Sequence, residues 1–143
     1  LGSLSDAFGR RPVLLGSLAA YAADYVLMGF APTLLWLFIG RGLSGIFSAT
    51  YPAASAYVAD MTRPEERAKR FGFMGAAWGM GFVVGPALGG LIGDLDPRLP
   101  FFVAAGLAAV NVVYGWFVLP ESLAPENRRP FHLASSHPIA AFK

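Results

Sequence analysis

Long uncharged stretches alternate with short charged ones, and this pattern predicts four helices that cross a membrane. The predicted spans run over residues 13–31, 34–59, 71–93 and 101–119. Helices rise about 1.5 Å per residue, so roughly 20 apolar residues match the thickness of the hydrocarbon core. Pro32 follows the first span and Pro120 the fourth, where each would end a helix. The pattern therefore predicts an all-α integral membrane fold, with connecting segments at 1–12, 60–70, 94–100 and 120–143.

The third span has a small residue at every fourth position. These residues are Ala77, Gly81, Gly85, Gly89 and Gly93. A stripe without large side chains lets a second membrane helix approach closely. A proline inside this span also weakens the hydrogen-bond ladder and predicts a bend. The stripe fits a plain packing face and, equally, a helix that also moves during function.

Composition supports the membrane interpretation and excludes several other classes. Hydrophobic residues make up 55% of the chain and charged residues 14%, which is too apolar for an ordinary soluble domain. A net charge of +2 in 143 residues gives no indication of nucleic-acid binding. The absence of cysteine excludes disulfides and zinc–thiolate sites.

The basic residues between the spans divide unevenly once the spans alternate in direction. One side of the membrane receives only Arg98, and the other receives Arg10, Arg11, Arg63, Arg67, Lys69, Arg70, Arg128, Arg129 and Lys143. Loops rich in lysine and arginine stay in the cytoplasm. The segments 1–12, 60–70 and 120–143 are therefore predicted to be cytoplasmic, and the two short loops external.

Two charged residues, Asp24 and Arg41, fall inside predicted spans. A charge near the centre of a membrane helix costs at least about 2.5–3.5 kcal/mol, so each needs a reason to be there. Both lie at similar distances from Pro32, which places them at similar depth in neighbouring antiparallel helices. We predict that both face the protein interior or a water-filled cavity, paired either with each other or with partners outside this chain. A structural ion pair and a role in proton or substrate handling both fit.

Three motifs resemble those of the major facilitator superfamily. Residues 2–12 are similar to the signature loop between its second and third helices, and residues 37–45 to the arginine–glycine motif of its fourth helix. Residues 81–90 resemble the antiporter motif of the fifth helix in drug:proton exporters. The matching positions are Gly2, Asp6, Gly9, Arg10 and Arg11 in the first, Arg41 in the second, and Gly81, Gly85, Pro86, Gly89 and Gly90 in the third. Runs at 9–15, 24–28, 71–77 and 119–122 resemble the tetracycline-efflux branch.

The resemblance implies that the four spans are helices three to six of an N-terminal six-helix bundle, so we expect a fragment of a twelve-helix transporter. The missing helices of that transporter would be its partners. The family's gating contacts would place Asp6 at the N-terminal end of a helix in the second half, and Arg10 against Asp60. Both contacts would close the inner, cytoplasmic gate. Alternatively, Arg10 and Arg11 serve only to determine topology. Ala7 replaces a usual basic residue, which puts that residue's contacts in doubt.

The function that the resemblance implies is secondary active efflux of an amphipathic, tetracycline-like drug in exchange for protons, by alternating access in a bacterial inner membrane. Its partners would be the drug, protons and the lipid bilayer, with the proton gradient as energy source and no cofactor or metal. Asp24 is the candidate coupling acid, unless an acid on the missing first helix couples instead. Arg41 would keep a nearby carboxylate charged.

Aromatic and polar residues in the spans are candidates for contact with a planar drug. They are Tyr51, Tyr57, Trp78, Asn111 and Tyr114. Each is also explained by lipid contact or helix packing. Trp36 and Trp116 lie near span ends and are predicted to anchor at the membrane interface.

Other functions fit parts of the pattern. A proton-coupled uptake symporter for a sugar or organic acid shares the first two motifs, and only the glycine–proline motif argues against it. An enzyme is not expected, because His132 and His137 both lie in the tail and no span contains a histidine. A four-helix pump that works as a dimer fits the number of spans, as does a non-transporting remnant if the chain is complete.

Overall fold

The structure is a computed structural model that describes residues 2–46 and 50–123. Within these residues it is helical, with no strand. The helices are α1 (Gly2–Phe8), α2 (Arg10–Gly29), α3 (Leu34–Ile46), α4 (Thr50–Met61), α5 (Arg67–Gly93) and α6 (Leu99–Val118), with a 3₁₀ turn at Pro64–Glu66. The all-α membrane fold predicted from sequence is confirmed.

Three helical stretches are long and apolar enough to cross a membrane. They are Arg10–Gly29, Pro64–Gly93 and Leu99–Val118, and they overlap the first, third and fourth predicted spans. The predicted span 34–59 covers α3 and α4. Residues 47–49, between these two helices, lie outside the described part, as do residues 124–143 of the predicted tail loop.

The N-terminal segment, predicted from sequence as a connecting segment, contains a helix. Gly2 begins α1, and Gly9, with a φ of 104°, separates α1 from α2. This conformation is accessible to glycine and strained for other residues. Helix α2 starts directly afterwards, with Pro12 in its first turn, where a missing N–H costs nothing.

The core lies between α2 and α6, which share the most extensive contact in the bundle. Small residues allow this approach. A Cβ on Gly29 would lie 2.9 Å from the ring of Phe102, and one on Gly115 would lie 2.8 Å from Leu15 Cδ2. The two helices are antiparallel, because the end of α2 meets the start of α6 at one end of the bundle.

Helix α5 lies at the edge and none of its residues is buried. A Cβ added to Gly81, Gly85 or Gly89 would meet no heavy atom within 4 Å. The helix continues through Pro86 from Arg67 to Gly93. Gly81, Gly85 and Gly89 are therefore not covered by other described residues, whereas a Cβ on Gly93 would lie 3.6 Å from Pro100 Cγ. The predicted bend stays a prediction.

Candidate functional site

Asp24 lies on α2, and its side chain is buried against α3. It is 6% exposed, and its Oδ2 accepts a hydrogen bond from Ser44 Oγ. Its other oxygen, Oδ1, is buried without a hydrogen-bond partner among the described residues. The carboxylate fits because α3 presents Gly40 to it, where a Cβ would lie only 3.0 Å from Oδ1.

An ion pair between Asp24 and Arg41, one of the two arrangements considered from sequence, does not occur among the described residues. The ion pairs among residues 2–46 and 50–123 both belong to Arg10. Helix geometry explains this, since successive residues are rotated by about 100° around the axis. Gly40 faces Asp24, so Arg41 points elsewhere and is exposed. Of the arrangements considered from sequence, a partner outside the described residues remains for Arg41.

Arg41 lines an open cavity of about 840 Å³ between α2, α3 and α5, here called the arginine cavity. Its other lining residues are Tyr25, Ala77, Trp78, Gly81, Phe82, Gly85 and Pro86. Three positions of the predicted antiporter motif, Gly81, Gly85 and Pro86, therefore line the same cavity as Arg41. The last two, Gly89 and Gly90, do not line this cavity.

A second cavity of about 450 Å³, here called the aromatic cavity, adjoins the first. It is lined by Tyr21, Thr50, Tyr51, Ala54, Met74 and Trp78. Tyr51 and Trp78 meet edge to face, with ring centroids 5.4 Å apart. Trp78 lines both cavities, so a ligand bound in one would contact the wall of the other. Thr50 is held in place by a 2.9 Å hydrogen bond from its hydroxyl to Ser17 Oγ.

The structure brings together only two of the five predicted cavity residues, Tyr51 and Trp78. Tyr57 instead donates a 3.1 Å hydrogen bond to the carbonyl of Pro120. Asn111 and Tyr114 are exposed on α6 and do not line the two cavities.

Sequence reasoning missed Tyr21 and Tyr25 on α2. These tyrosines stack with centroids 6.4 Å apart, and each lines one of the cavities. Their four-residue spacing places them on one helix face, which was the available signal.

A cluster of polar contacts joins α1, α2 and α4 at the N-terminal end of α2. Arg10 Nε donates to Asp60 Oδ2 at 3.1 Å, and Arg10 Nη1 donates to Ser5 Oγ at 2.7 Å and to Asp6. We call Ser5, Asp6, Arg10 and Asp60 the gate cluster. The Arg10–Asp60 contact that the resemblance implied is present. Asp6 pairs with Arg10, and its expected contact with a helix of the second half stays a prediction.

Arg11 points away from the gate cluster towards α6. Its guanidinium lies 5.6 Å from the ring centroid of Trp116 and donates to the Trp116 carbonyl oxygen. A cation over an indole face is attracted by the negative face of the ring. Arg11 thus has a contact of its own beyond any effect on topology.

Comparison with known proteins gives consistent matches. The family described as Major Facilitator Superfamily matches residues 1–142. The chain is 46% identical to "Tetracycline resistance protein, class C" of Escherichia coli, over 100% of this chain and 36% of the relative. It is 51% identical to the class G protein of Vibrio anguillarum, over 85% of this chain and 31% of the relative. It is 36% identical to "Multidrug resistance protein 2" of Bacillus subtilis, over 95% of this chain and 34% of the relative.

Solved structures include one of the same architecture. The crystal structure of the human organic anion transporter MFSD10 (TETRAN) matches with a TM-score of 0.84 and 29% identity. The match covers 94% of this chain and 32% of that one. The chain thus spans about a third of the length of the curated relatives that it matches.

Proposed function

Since this chain belongs to the major facilitator superfamily and is a multi-pass integral membrane protein, we propose that it serves the proton-driven export of an amphipathic, tetracycline-like drug from a bacterial cell. Relatives at 46% and 51% identity carry tetracycline resistance in their names. Export across the inner membrane is the form of transport that such resistance suggests.

The observation that carries the proposal is the burial of Asp24. A carboxylate in a membrane-spanning helix is costly, and such groups mark ion and proton pathways. Ser44 satisfies one oxygen, while Oδ1 has no partner among the described residues. A proton bound at Oδ1 would remove the charge and provide a donor, so this oxygen is the proposed site of the coupled proton. An acid outside this chain is the alternative.

The aromatic cavity supports a planar, amphipathic substrate. Tyr21, Tyr51 and Trp78 present ring faces and edges, and Thr50 adds a hydroxyl group. Ligand sites combine apolar walls with a few placed polar groups. Arg41, in the adjoining cavity, would attract an anionic part of the drug, or a carboxylate that changes charge during transport.

The gate cluster supports alternating access. Arg10 connects α1, α2 and α4 through two carboxylates and a hydroxyl group at one end of the bundle. Held together, these contacts would close the cytoplasmic side, and they would separate when the cavity opens inward. Solvent-exposed ion pairs are each worth about 0.2–1 kcal/mol, and several together can bias such an equilibrium.

The test uses the full-length protein in inverted membrane vesicles with an acidified interior. We expect added tetracycline to release protons from the interior, and we expect Asp24→Asn to abolish this release. Asp94→Asn is the matched control, because Asp94 is an exposed acid at the end of α5. Proton movement with a sugar or organic acid, and none with drugs, would instead indicate an uptake symporter. If vesicles with the Asp24→Asn variant release protons at the parental rate, the coupling acid lies elsewhere.

A further inference from the structure

Glu121, just beyond α6, reaches back to the first turn of α2. Its Oε1 accepts a 2.9 Å hydrogen bond from the backbone N–H of Arg10, which lies 111 positions earlier in the chain. The same oxygen lies 3.4 Å from the N–H of Arg11 and 3.1 Å from that of Leu123. The first N–H groups of a helix have no partner within it, and the N-terminal end of a helix favours an anion. Glu121 is therefore a distant cap for α2.

Gly9 makes room for this cap. A Cβ at this position would lie 2.5 Å from Glu121 Oε2 and 3.0 Å from Cδ, which is closer than side chains approach. The backbone of Gly9 also has the positive φ that other residues adopt only with strain. Two independent features of the structure, one conformational and one steric, thus require glycine beside the Glu121 carboxylate.

The residues around Glu121 contact α4 as well as α2. Ser122 Oγ donates to Asp60 Oδ2 at 3.5 Å, and this is the same oxygen that accepts from Arg10 Nε. The carbonyl of Pro120 accepts from the Tyr57 hydroxyl. Residues 120–122 therefore link the ends of α2, α4 and α6 around the ion pair of Arg10 and Asp60.

We infer that Glu121 is a positioning residue of the inner gate, which fixes the backbone of Arg10 so that its guanidinium reaches Asp60. The assignment rests on the gating role given to the gate cluster in the proposed function. Glu121 touches neither cavity, so its effect on transport passes through Arg10. Without the cap, the first turn of α2 loses its anchor, and the closed state of the cytoplasmic side loses population.

The experiment measures access to the aromatic cavity from the cytoplasmic side. Residues 1–143 contain no cysteine, so Ala54→Cys provides a defined labelling position in the cavity wall once any cysteines elsewhere in the full-length protein are replaced. A membrane-impermeant maleimide is added to inverted vesicles, and the labelling rate is recorded without drug or proton gradient. The labelling rate therefore does not depend on which substrate is exported.

We expect Glu121→Ala to raise the labelling rate about tenfold, equivalent to a shift of about 1.4 kcal/mol. Glu121→Gln should give a smaller rise, because the amide oxygen still accepts from the N–H groups but lacks the charge. Gly9→Ala should resemble Glu121→Ala, since its methyl group displaces the carboxylate. The double variant should label no faster than the faster single variant, because both remove one contact.

Glu65→Ala is the matched control, since Glu65 is an exposed acid in the 3₁₀ turn before α5. Its labelling rate should equal that of the parent protein. Parental labelling rates in both Glu121 variants, at normal membrane levels, would overturn the assignment. An equal rise in Glu65→Ala would overturn it too, because the effect would then be general. If Glu121→Ala fails to accumulate, the isosteric Glu121→Gln decides the outcome: a raised rate supports the assignment, and a parental rate overturns it.

Discussion

Replacing Gly40 by alanine tests whether Asp24 needs the space that α3 leaves for it. A Cβ on Gly40 would lie 3.0 Å from Asp24 Oδ1 and 3.0 Å from Met28 Cγ, whereas ordinary contacts are 3.4–4 Å. Met28 is itself buried, so its Cγ is crowded as well. The carboxylate cannot withdraw without stretching its hydrogen bond from Ser44, so the added methyl group crowds the atom proposed to bind the proton.

The magnitude follows from the energy of overpacking. An extra methyl group in a filled site typically costs about 1–3 kcal/mol. This cost falls on the state in which Asp24 lies against Gly40, and the population of that state decreases accordingly. At 1.36 kcal/mol for each factor of ten, tetracycline-dependent proton release should slow between about fivefold and about 150-fold.

Gly42→Ala is the matched control on the same helix. A Cβ there meets no heavy atom within 4 Å, while both substitutions give the same gain in helix propensity, about 1 kcal/mol. The assay is proton release from inverted vesicles, normalised to the amount of transporter in the membrane. Equal release rates in Gly40→Ala and Gly42→Ala would refute the argument that the position of the Asp24 carboxylate limits exchange.

Two further predictions concern the drug site and the core. Trp78→Ala should raise the KM for tetracycline about tenfold, because the stacking of a planar ring on an aromatic side chain is worth roughly 1–3 kcal/mol. Trp36→Ala, in an exposed part of α3, should leave the KM unchanged. An equal rise of the KM in both variants would contradict a specific role of Trp78. Gly29→Ala should destabilise the α2–α6 contact by about 1–3 kcal/mol, since its Cβ would lie 2.9 Å from the Phe102 ring. Thermal unfolding in detergent should show a lower Tm for Gly29→Ala than for Gly79→Ala, whose Cβ has open space, and equal values would count against the packing argument.

The positions of the long helices could be predicted because membrane thickness imposes a length on apolar runs. The runs 13–31, 71–93 and 101–119 coincide closely with α2, α5 and α6. Helix α1 was harder to foresee, because Gly2 and Gly9 both suggested turns. Only Gly9 has a positive φ, whereas Gly2 begins α1.

The site was only partly predictable, because depth in the membrane does not determine direction around a helix axis. Asp24 and Arg41 were assigned similar depths, yet α3 turns Gly40 and Ser44 towards Asp24 instead. Residue type alone was equally insufficient for the aromatic residues. Asn111 suited a drug contact chemically, but the packing of α6 on α2 leaves it on the outer surface. The roles of all these residues stay predictions.

The cap that Glu121 supplies to α2 has a consequence for the order of events during synthesis. A ribosome adds about 5–20 residues per second, so the 111 positions between Arg10 and Glu121 take roughly 6–22 s. Until Glu121 has been added, its carboxylate cannot accept from the first N–H groups of α2. The first turn of α2 therefore gains this contact only after the last helix of the described bundle, α6, has been synthesised.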